Sequence, residues 1–184
     1  MFDNVSLMYA GGAGGTDYYK TLKISGKINN QEVVLAGGPV PTSITLITNS
    51  NSNFNLNTST LELYANAAGS TTIQAWIGGS PVASVVVTAS DAEPEVNSMY
   101  FNPTSYTLAN SVVDFDVTTL LNVIDQYGVD ITGDANIYFS SSNPTVATVD
   151  QNGLIDTFTT DGTTSISVVE LSGAGSAVLT LTVE

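Results

Sequence analysis

The chain contains no cysteine and no histidine among its 184 residues. The absence of cysteine excludes disulfides, thiolate metal sites and cysteine nucleophiles. The absence of histidine removes the usual general base and the usual transition-metal ligand, so a Ser-His-Asp triad cannot be built from this chain alone. These absences argue against an enzyme, and we predict no catalytic residue.

Basic side chains are almost as scarce, because 3 Lys and Arg stand against 17 Asp and Glu, for a net charge of −14. Nucleic acids and anionic membranes bind positively charged surfaces, so we expect neither as a partner. The sequence has no apolar run of membrane-spanning length, and we expect no membrane insertion. A hydrophobic content of 42% is too high for a disordered chain. The sequence therefore predicts a folded, acidic protein that attracts cations.

Most of the chain repeats itself at a nearly constant offset. The matching segments are Ile44-Thr45-Leu46 with Ile137-Tyr138-Phe139, Gly69 with Gly162, Thr71-Thr72-Ile73 with Thr164-Ser165-Ile166, and Leu7-Met8-Tyr9 with Met99-Tyr100-Phe101. A constant offset over this length indicates two tandem domains of similar size. We predict domains at residues 1–91 and 95–184, joined by a short linker that Pro94 stiffens.

The local signal in both halves is that of β-strands. Apolar and polar residues alternate in Thr71–Ile77 and Val178–Val183. Turn signals recur at Gly78-Gly79, Asp125–Gly128 and Asn152-Gly153. Short strands separated by regularly spaced turns favour an all-β fold in which each half is an antiparallel β-sandwich.

One hairpin in the second half carries a resemblance to a known family. Its residues are Ser141-Ser142-Asn143-Pro144, Val146-Ala147, Val149 and Gly153, followed by Gly162 to Val168. This pattern resembles the bacterial immunoglobulin-like group 2 family, over residues 96–184. The first half matches only through the internal repeat and is interpreted as a divergent immunoglobulin-like domain. The resemblance implies two tandem immunoglobulin-like antiparallel β-sandwiches that act as spacers, lattice-forming units or binding modules.

The same hairpin predicts part of the second core. Asp150-Gln151-Asn152-Gly153 forms the turn, with Gly153 at positive φ. The alternating positions then place a set of apolar side chains on one side of the core, namely Val146, Val149, Ile155, Ile166 and Val168.

The acidic residues have two interpretations. No Lys or Arg occurs between Glu95 and Glu184, so no ion pair within that half neutralises its acids. They are either turn-forming, solubilising residues or ligands of a hard cation such as calcium, which binds carboxylate and carbonyl oxygens. The candidate ligands are Asp114, Asp116, Asp125, Asp130 and Asp134 within the second domain, and Asp91, Glu93 and Glu95 at the linker.

The functional hypothesis follows from the composition and the resemblance together. We expect a structural fragment of an extracellular bacterial cell-surface protein, and in particular a surface-layer lattice subunit stabilised by calcium. Its partners would be further copies of the lattice, neighbouring domains of the same chain or a cell-wall glycan. The alternative is an adhesin stalk or a carbohydrate-binding accessory module of a secreted protein.

Overall fold

The structure is a computed structural model that describes residues 2–3, 7–11, 18–28, 31–36, 44–48 and 53–184. The chain divides into two compact units, Met1–Glu93 and Pro94–Glu184. The division falls within residues 91–95, the segment that the sequence predicts to be a linker. Among the described residues, no helix is long and apolar enough to cross a membrane.

Ten strands are described in the first unit. They are β1 (Phe2–Asp3), β2 (Leu7–Tyr9), β3 (Lys20–Thr21), β4 (Lys23–Ile28), β5 (Gln31–Ala36), β6 (Ile44–Thr48), β7 (Phe54–Asn57), β8 (Glu62–Ala65), β9 (Gly69–Ile77) and β10 (Ser80–Ser90). The strands form a four-stranded sheet in the order β2-β10-β9-β6 and two three-stranded sheets, β1-β4-β5 and β3-β8-β7.

The second unit has nine strands and a short 3₁₀ helix. They are β11 (Val96–Phe101), β12 (Ser105–Leu108), β13 (Phe115–Asp116), the 3₁₀ helix (Val117–Leu120), β14 (Leu121–Asp125), β15 (Ile137–Ser141), β16 (Ala147–Val149), β17 (Leu154–Thr157), β18 (Gly162–Glu170) and β19 (Ser176–Val183). The sheets are β12-β19-β18-β15, β13-β17-β16 and β11-β14.

Both units repeat one topology, which confirms the two tandem immunoglobulin-like sandwiches. The four-stranded sheets correspond strand for strand, and β9 and β18 begin at Gly69 and Gly162, the residues matched by the internal repeat. Among the described strands, each unit also contains a parallel pair, β2 with β10 and β12 with β19, which the sequence does not predict.

The parallel pairs correct the predicted match at the start of the repeat. Leu7–Tyr9 pairs with the last strand of its unit, as Ser105–Leu108 does, whereas Val96–Phe101 pairs with β14 in another sheet. The match of Leu7–Tyr9 to Met99–Phe101 is therefore wrong. The second unit places its first two strands, β11 and β12, in different sheets. A similar apolar pattern therefore occurs twice near its start, and the sequence match selects the wrong one of these two strands.

Each unit has its own hydrophobic core. In the second unit, Val146, Ile155, Ile166 and Val168 are buried as predicted, whereas Val149 is only partly buried at the margin of the same cluster. The side chain of Ile166 is fully buried, and burial of such a side chain stabilises the fold by about 1.5–3 kcal/mol. This one cluster joins residues of all three sheets, as a sandwich requires.

Strand β9 shows the predicted alternation up to its last residue. Thr71, Ile73 and Ala75 are buried, but Ile77, which the pattern places inward, is 41% exposed. The next two residues, Gly78 and Gly79, have φ values of 57° and 81° and turn the chain into β10. Two consecutive positive φ values are typical of a tight hairpin turn, which lifts the strand end away from the core.

Candidate functional site

The first part of the family hairpin is a network of hydroxyl groups around the buried Thr164. Its Oγ1 accepts a hydrogen bond of 2.9 Å from the backbone N–H of Asn143 and lies 3.0 Å and 3.1 Å from the Oγ atoms of Ser141 and Ser142. Ser142 Oγ also accepts a 2.9 Å hydrogen bond from the backbone N–H of Ser165. The Ser-Ser-Asn signature therefore links β15 to β18, and its polar atoms serve the scaffold.

Asn143 starts the turn that leads towards β16. Its Oδ1 accepts hydrogen bonds from the backbone N–H and the hydroxyl of Thr145, at 3.2 Å and 2.7 Å. Its carbonyl accepts one from the N–H of Val146 at 3.1 Å. Asparagine is favoured at such turns because its side chain bonds to the backbone two residues on.

The second part of the hairpin is the turn from Asp150 to Gly153. Asp150 Oδ1 accepts hydrogen bonds from the backbone N–H groups of Leu154 (2.8 Å) and Asn152 (2.9 Å). The hydrogen bond from Leu154 is the main cause that lowers the pKa of this carboxyl group. Gly153 has a φ of 81°, which confirms the predicted positive value.

Gln151, in the same turn, covers the edge of strand β15. Its Oε1 accepts a hydrogen bond of 3.4 Å from the backbone N–H of Phe139, and its Nε2 donates one of 3.2 Å to the carbonyl of Phe139. Because β15 is the last strand of its sheet, the amide occupies backbone groups that a further strand would otherwise use.

Two of the predicted calcium ligands, Asp116 and Asp130, organise the backbone of their own loops, and a third, Asp114, is held by another acid. The carboxylate of Asp116 accepts hydrogen bonds from the backbone N–H and hydroxyl of Thr118, at 2.9 Å and 2.6 Å. Asp130 accepts the same pair from Thr132, at 2.9 Å and 2.6 Å. Asp114 has a φ of 55°, and its backbone N–H donates to Asp156 Oδ1 at 2.9 Å.

Asp125 differs from these residues because it is 1% exposed. Its Oδ1 accepts hydrogen bonds of 2.8 Å from the backbone N–H groups of Tyr127 and Val129. These two hydrogen bonds close the predicted turn at Asp125–Gly128. Its Oδ2 is buried without a partner among the described residues. Asp134 is exposed, and its backbone N–H donates to the carbonyl of Ile131 at 3.0 Å.

The three linker residues are exposed and lie in different units. Asp91 and Glu93 belong to the first unit and Glu95 to the second. Across the described part of the chain, no group of three or more acidic side chains is close enough to hold a metal ion. The structure thus assigns turn-forming roles to several candidates, and the calcium site stays a prediction.

Glu170 is a turn-forming acid that the sequence reasoning missed. Its carboxylate accepts hydrogen bonds from the hydroxyl and backbone N–H of Ser172 and from the N–H of Ala174. The hydroxyl of Ser172 is the main cause that lowers the pKa of Glu170. An acid followed two residues later by serine was the available signal, because such a pair closes a short turn.

The outer side of the sheet β12-β19-β18-β15 has an unusual composition. Positions on this side alternate with the buried positions of each strand, and we call the surface they form the hydroxyl face. It consists of Ser105, Thr107, Tyr138, Ser140, Thr163, Ser165, Ser167, Val169, Ser176, Val178, Thr180 and Thr182. None of these residues is charged.

The four-stranded sheet of the first unit has a similar outer side. Its described members are Leu7, Tyr9, Thr45, Ser70, Thr72, Gln74, Trp76, Ser84, Val86 and Thr88, again without a charge. Trp76 lies partly buried on this outer side, where its Nε1 donates to Gln74 Oε1 at 3.3 Å.

The repeated topology and the separate cores define each unit as an immunoglobulin-like β-sandwich. The model of the bacterial Ig-like domain family (group 2) matches residues 95–183. The second unit therefore belongs to this family, in agreement with the resemblance of its hairpin. No curated protein matches the chain.

The solved structures that are similar to this chain include parts of surface and adhesion proteins. Domains 4 and 5 of the S-layer protein SbsC are 18% identical, with 100% of this chain and 95% of that chain covered and a TM-score of 0.44. A C-terminal fragment of intimin is 16% identical, with 98% and 61% covered and a TM-score of 0.32. Mouse cadherin-23 EC22–24 is 13% identical, with 100% and 64% covered and a TM-score of 0.37. The chain spans only 29% of a longer SbsC fragment with domains 4–9.

Proposed function

We propose that the chain is a structural segment of a bacterial cell-surface protein, in which the immunoglobulin-like units are repeated to build length. The observation that carries this proposal is the tandem repetition of one sandwich, the second copy of which belongs to the bacterial Ig-like group 2 family. Polar groups of the family hairpin are used to hold strands and turns together, as a non-catalytic scaffold requires.

The finer proposal is that this segment is part of a surface-layer lattice. Its support is the acidic, cysteine-free composition together with the uncharged sheet faces, on which copies can pack without opposing charges. Calcium would act by bridging acidic groups, and this part of the proposal rests on composition alone.

The location is tested with an antibody raised against the purified chain. Intact cells of the source organism should be labelled as strongly as permeabilised cells, while an antibody against a cytosolic protein should label only permeabilised ones. Labelling that requires permeabilisation would refute a cell-surface role.

The lattice is tested by electron microscopy of the purified chain, with calcium and with a chelator at equal ionic strength. Ordered two-dimensional arrays are the expected result. Their absence under both conditions would refute the lattice and leave the cell-surface role to the antibody experiment.

One observation favours the second candidate function, a carbohydrate-binding module. Tyr19 and Tyr64 are 42% and 37% exposed, and their ring centroids lie 6.2 Å apart. The hydroxyl of Tyr64 donates to Glu62 Oε2 at 3.1 Å, which fixes the ring beside a carboxylate. Retention on an array of cell-wall glycans, lost in Tyr19→Ala and kept in Tyr100→Ala on the second unit, would support this function.

A further inference from the structure

We propose that the hydroxyl face of the second unit is the surface on which a second copy of this chain docks, face to face. The proposal deepens the lattice function by naming the surface of contact, and it can fail while the cell-surface role holds. It rests on the charge distribution, the chemistry and the size of this face.

The first argument is electrostatic. Every charged side chain between Glu95 and Glu184 is acidic, and each copy of the chain carries a net charge of −14. When two identical surfaces meet about a two-fold axis, each residue type faces its own kind or a neighbour from the same patch. An acidic patch would therefore repel itself, whereas the uncharged hydroxyl face can meet its own copy without this cost.

The second argument is chemical complementarity. Serine and threonine hydroxyls both donate and accept hydrogen bonds, so a surface of hydroxyls is complementary to itself. The same face also carries an apolar patch, in which Tyr138 pairs with Val169 across the strands and Val178 lies opposite Ser167. These three side chains are 49%, 41% and 53% exposed, so apolar area remains to be buried.

The third argument concerns size. The four strands contain 4, 5, 9 and 8 residues, and strands about 4.8 Å apart with a rise of about 3.3 Å per residue give their face an area of roughly 400 Å². Two such faces in contact bury about 800 Å², which is below the roughly 1,000 Å² of a stable specific interface. We therefore expect a weak, reversible contact that becomes effective when many copies are held together, as in a lattice.

The test uses the full chain in analytical ultracentrifugation over a range of protein concentrations. The unmodified chain should associate reversibly, and more strongly as salt screens the repulsion between copies. Thr180 lies exposed in the central strand β19, where it pairs with Ser105 and Ser165. Thr180→Asp should weaken the association at least tenfold, because it places like charges on both faces.

Matched variants separate charge from other effects. Thr180→Asn has nearly the shape of Thr180→Asp without the charge and should associate as the unmodified chain does. Thr159→Asp adds the same charge in the exposed loop after β17 and should also leave association unchanged. A mixture of Thr180→Asp and Thr180→Lys chains should recover the association that each variant alone has lost.

Three outcomes would overturn the proposal. They are an unmodified chain that stays monomeric up to its solubility limit, equal effects of Thr180→Asp and Thr159→Asp, and no recovery in the mixture. Unchanged thermal unfolding of each variant is the control for folding. A fourth outcome would overturn it as well: if association persists in Thr180→Asp, the contact uses another surface, such as the lysines of the first unit against the acids of the second.

Discussion

Replacing Gly153 with alanine should destabilise the second unit for two separable reasons. An alanine at this φ of 81° costs about 1–2 kcal/mol. The added Cβ would also lie 2.6 Å from Thr118 Cγ2 and 3.3 Å from the ring of Phe139, whereas carbon atoms in contact are ordinarily about 3.5–4.0 Å apart. Overpacking of this kind costs about 1–3 kcal/mol, so the total is about 2–5 kcal/mol.

The steric part can be removed by a second substitution. Thr118 cannot turn its methyl group away freely, because its Oγ1 donates a 2.6 Å hydrogen bond to Asp116. Thr118→Ser keeps this hydrogen bond and deletes the methyl group, which by itself costs about 1 kcal/mol or less. In the double variant the overlap is relieved, so its loss should be smaller than the sum of the two single losses by about 1–3 kcal/mol.

The assay is urea unfolding followed by circular dichroism, with fluorescence of Trp76 as an internal reference. The chain has one tryptophan, so this signal reports the first unit only. The Gly153 variant should shift the dichroism transition of the second unit and leave the Trp76 transition unchanged. Additive losses in the two single variants and the double variant would show that the contact with Thr118 is not the source of the strain.

Three further changes test the remaining features. Thr164→Val removes the buried oxygen that accepts a hydrogen bond from the backbone N–H of Asn143 and should lower the free energy of unfolding by about 2 kcal/mol. Thr164→Ser keeps this oxygen and should cost less. Equal losses of stability in the two variants would refute the role of the hydroxyl network. Asp150→Asn should destabilise the turn at pH 7. The difference in stability between the two chains should vanish as the pH falls through the lowered folded pKa, below about pH 4, because the carboxylate's contribution to stability is present above the unfolded pKa and is lost on protonation. A difference in stability that is independent of pH would contradict the charge-based account. Millimolar calcium should raise the thermal midpoint relative to a chelator if the acids bind it; no rise would leave them with their turn roles.

The sequence predicts the fold well where the local pattern and the tertiary structure agree. The repeat, the strand alternation and the Asp150–Gly153 turn are all encoded in short segments, because turn residues and period-two patterns act locally. The parallel pairing of Leu7–Tyr9 could not be read in this way. This pairing depends on which sheet the strand joins, and strands that are distant in the sequence decide that.

The acidic residues were harder to interpret, since an aspartate that closes a turn and one that binds a cation have the same local sequence. Only the hydrogen bonds at Asp116 and Asp130 show that these carboxylates are occupied by their own loops. The hydroxyl face had a visible sequence signal, the serines and threonines at alternate positions of β18 and β19. Its lack of charge becomes meaningful only when the strands are placed side by side.

The amide of Gln151 on the edge of β15 has a consequence for proteins built from many such units. Tandem domains meet one another at an effective concentration that reaches the millimolar range for short linkers. An open strand edge would then invite a strand from an adjacent domain to add to the sheet, which leads to exchanged or aggregated chains. By occupying the N–H and the carbonyl of Phe139, one side chain protects this strand edge of the second unit from pairing with a strand of another domain.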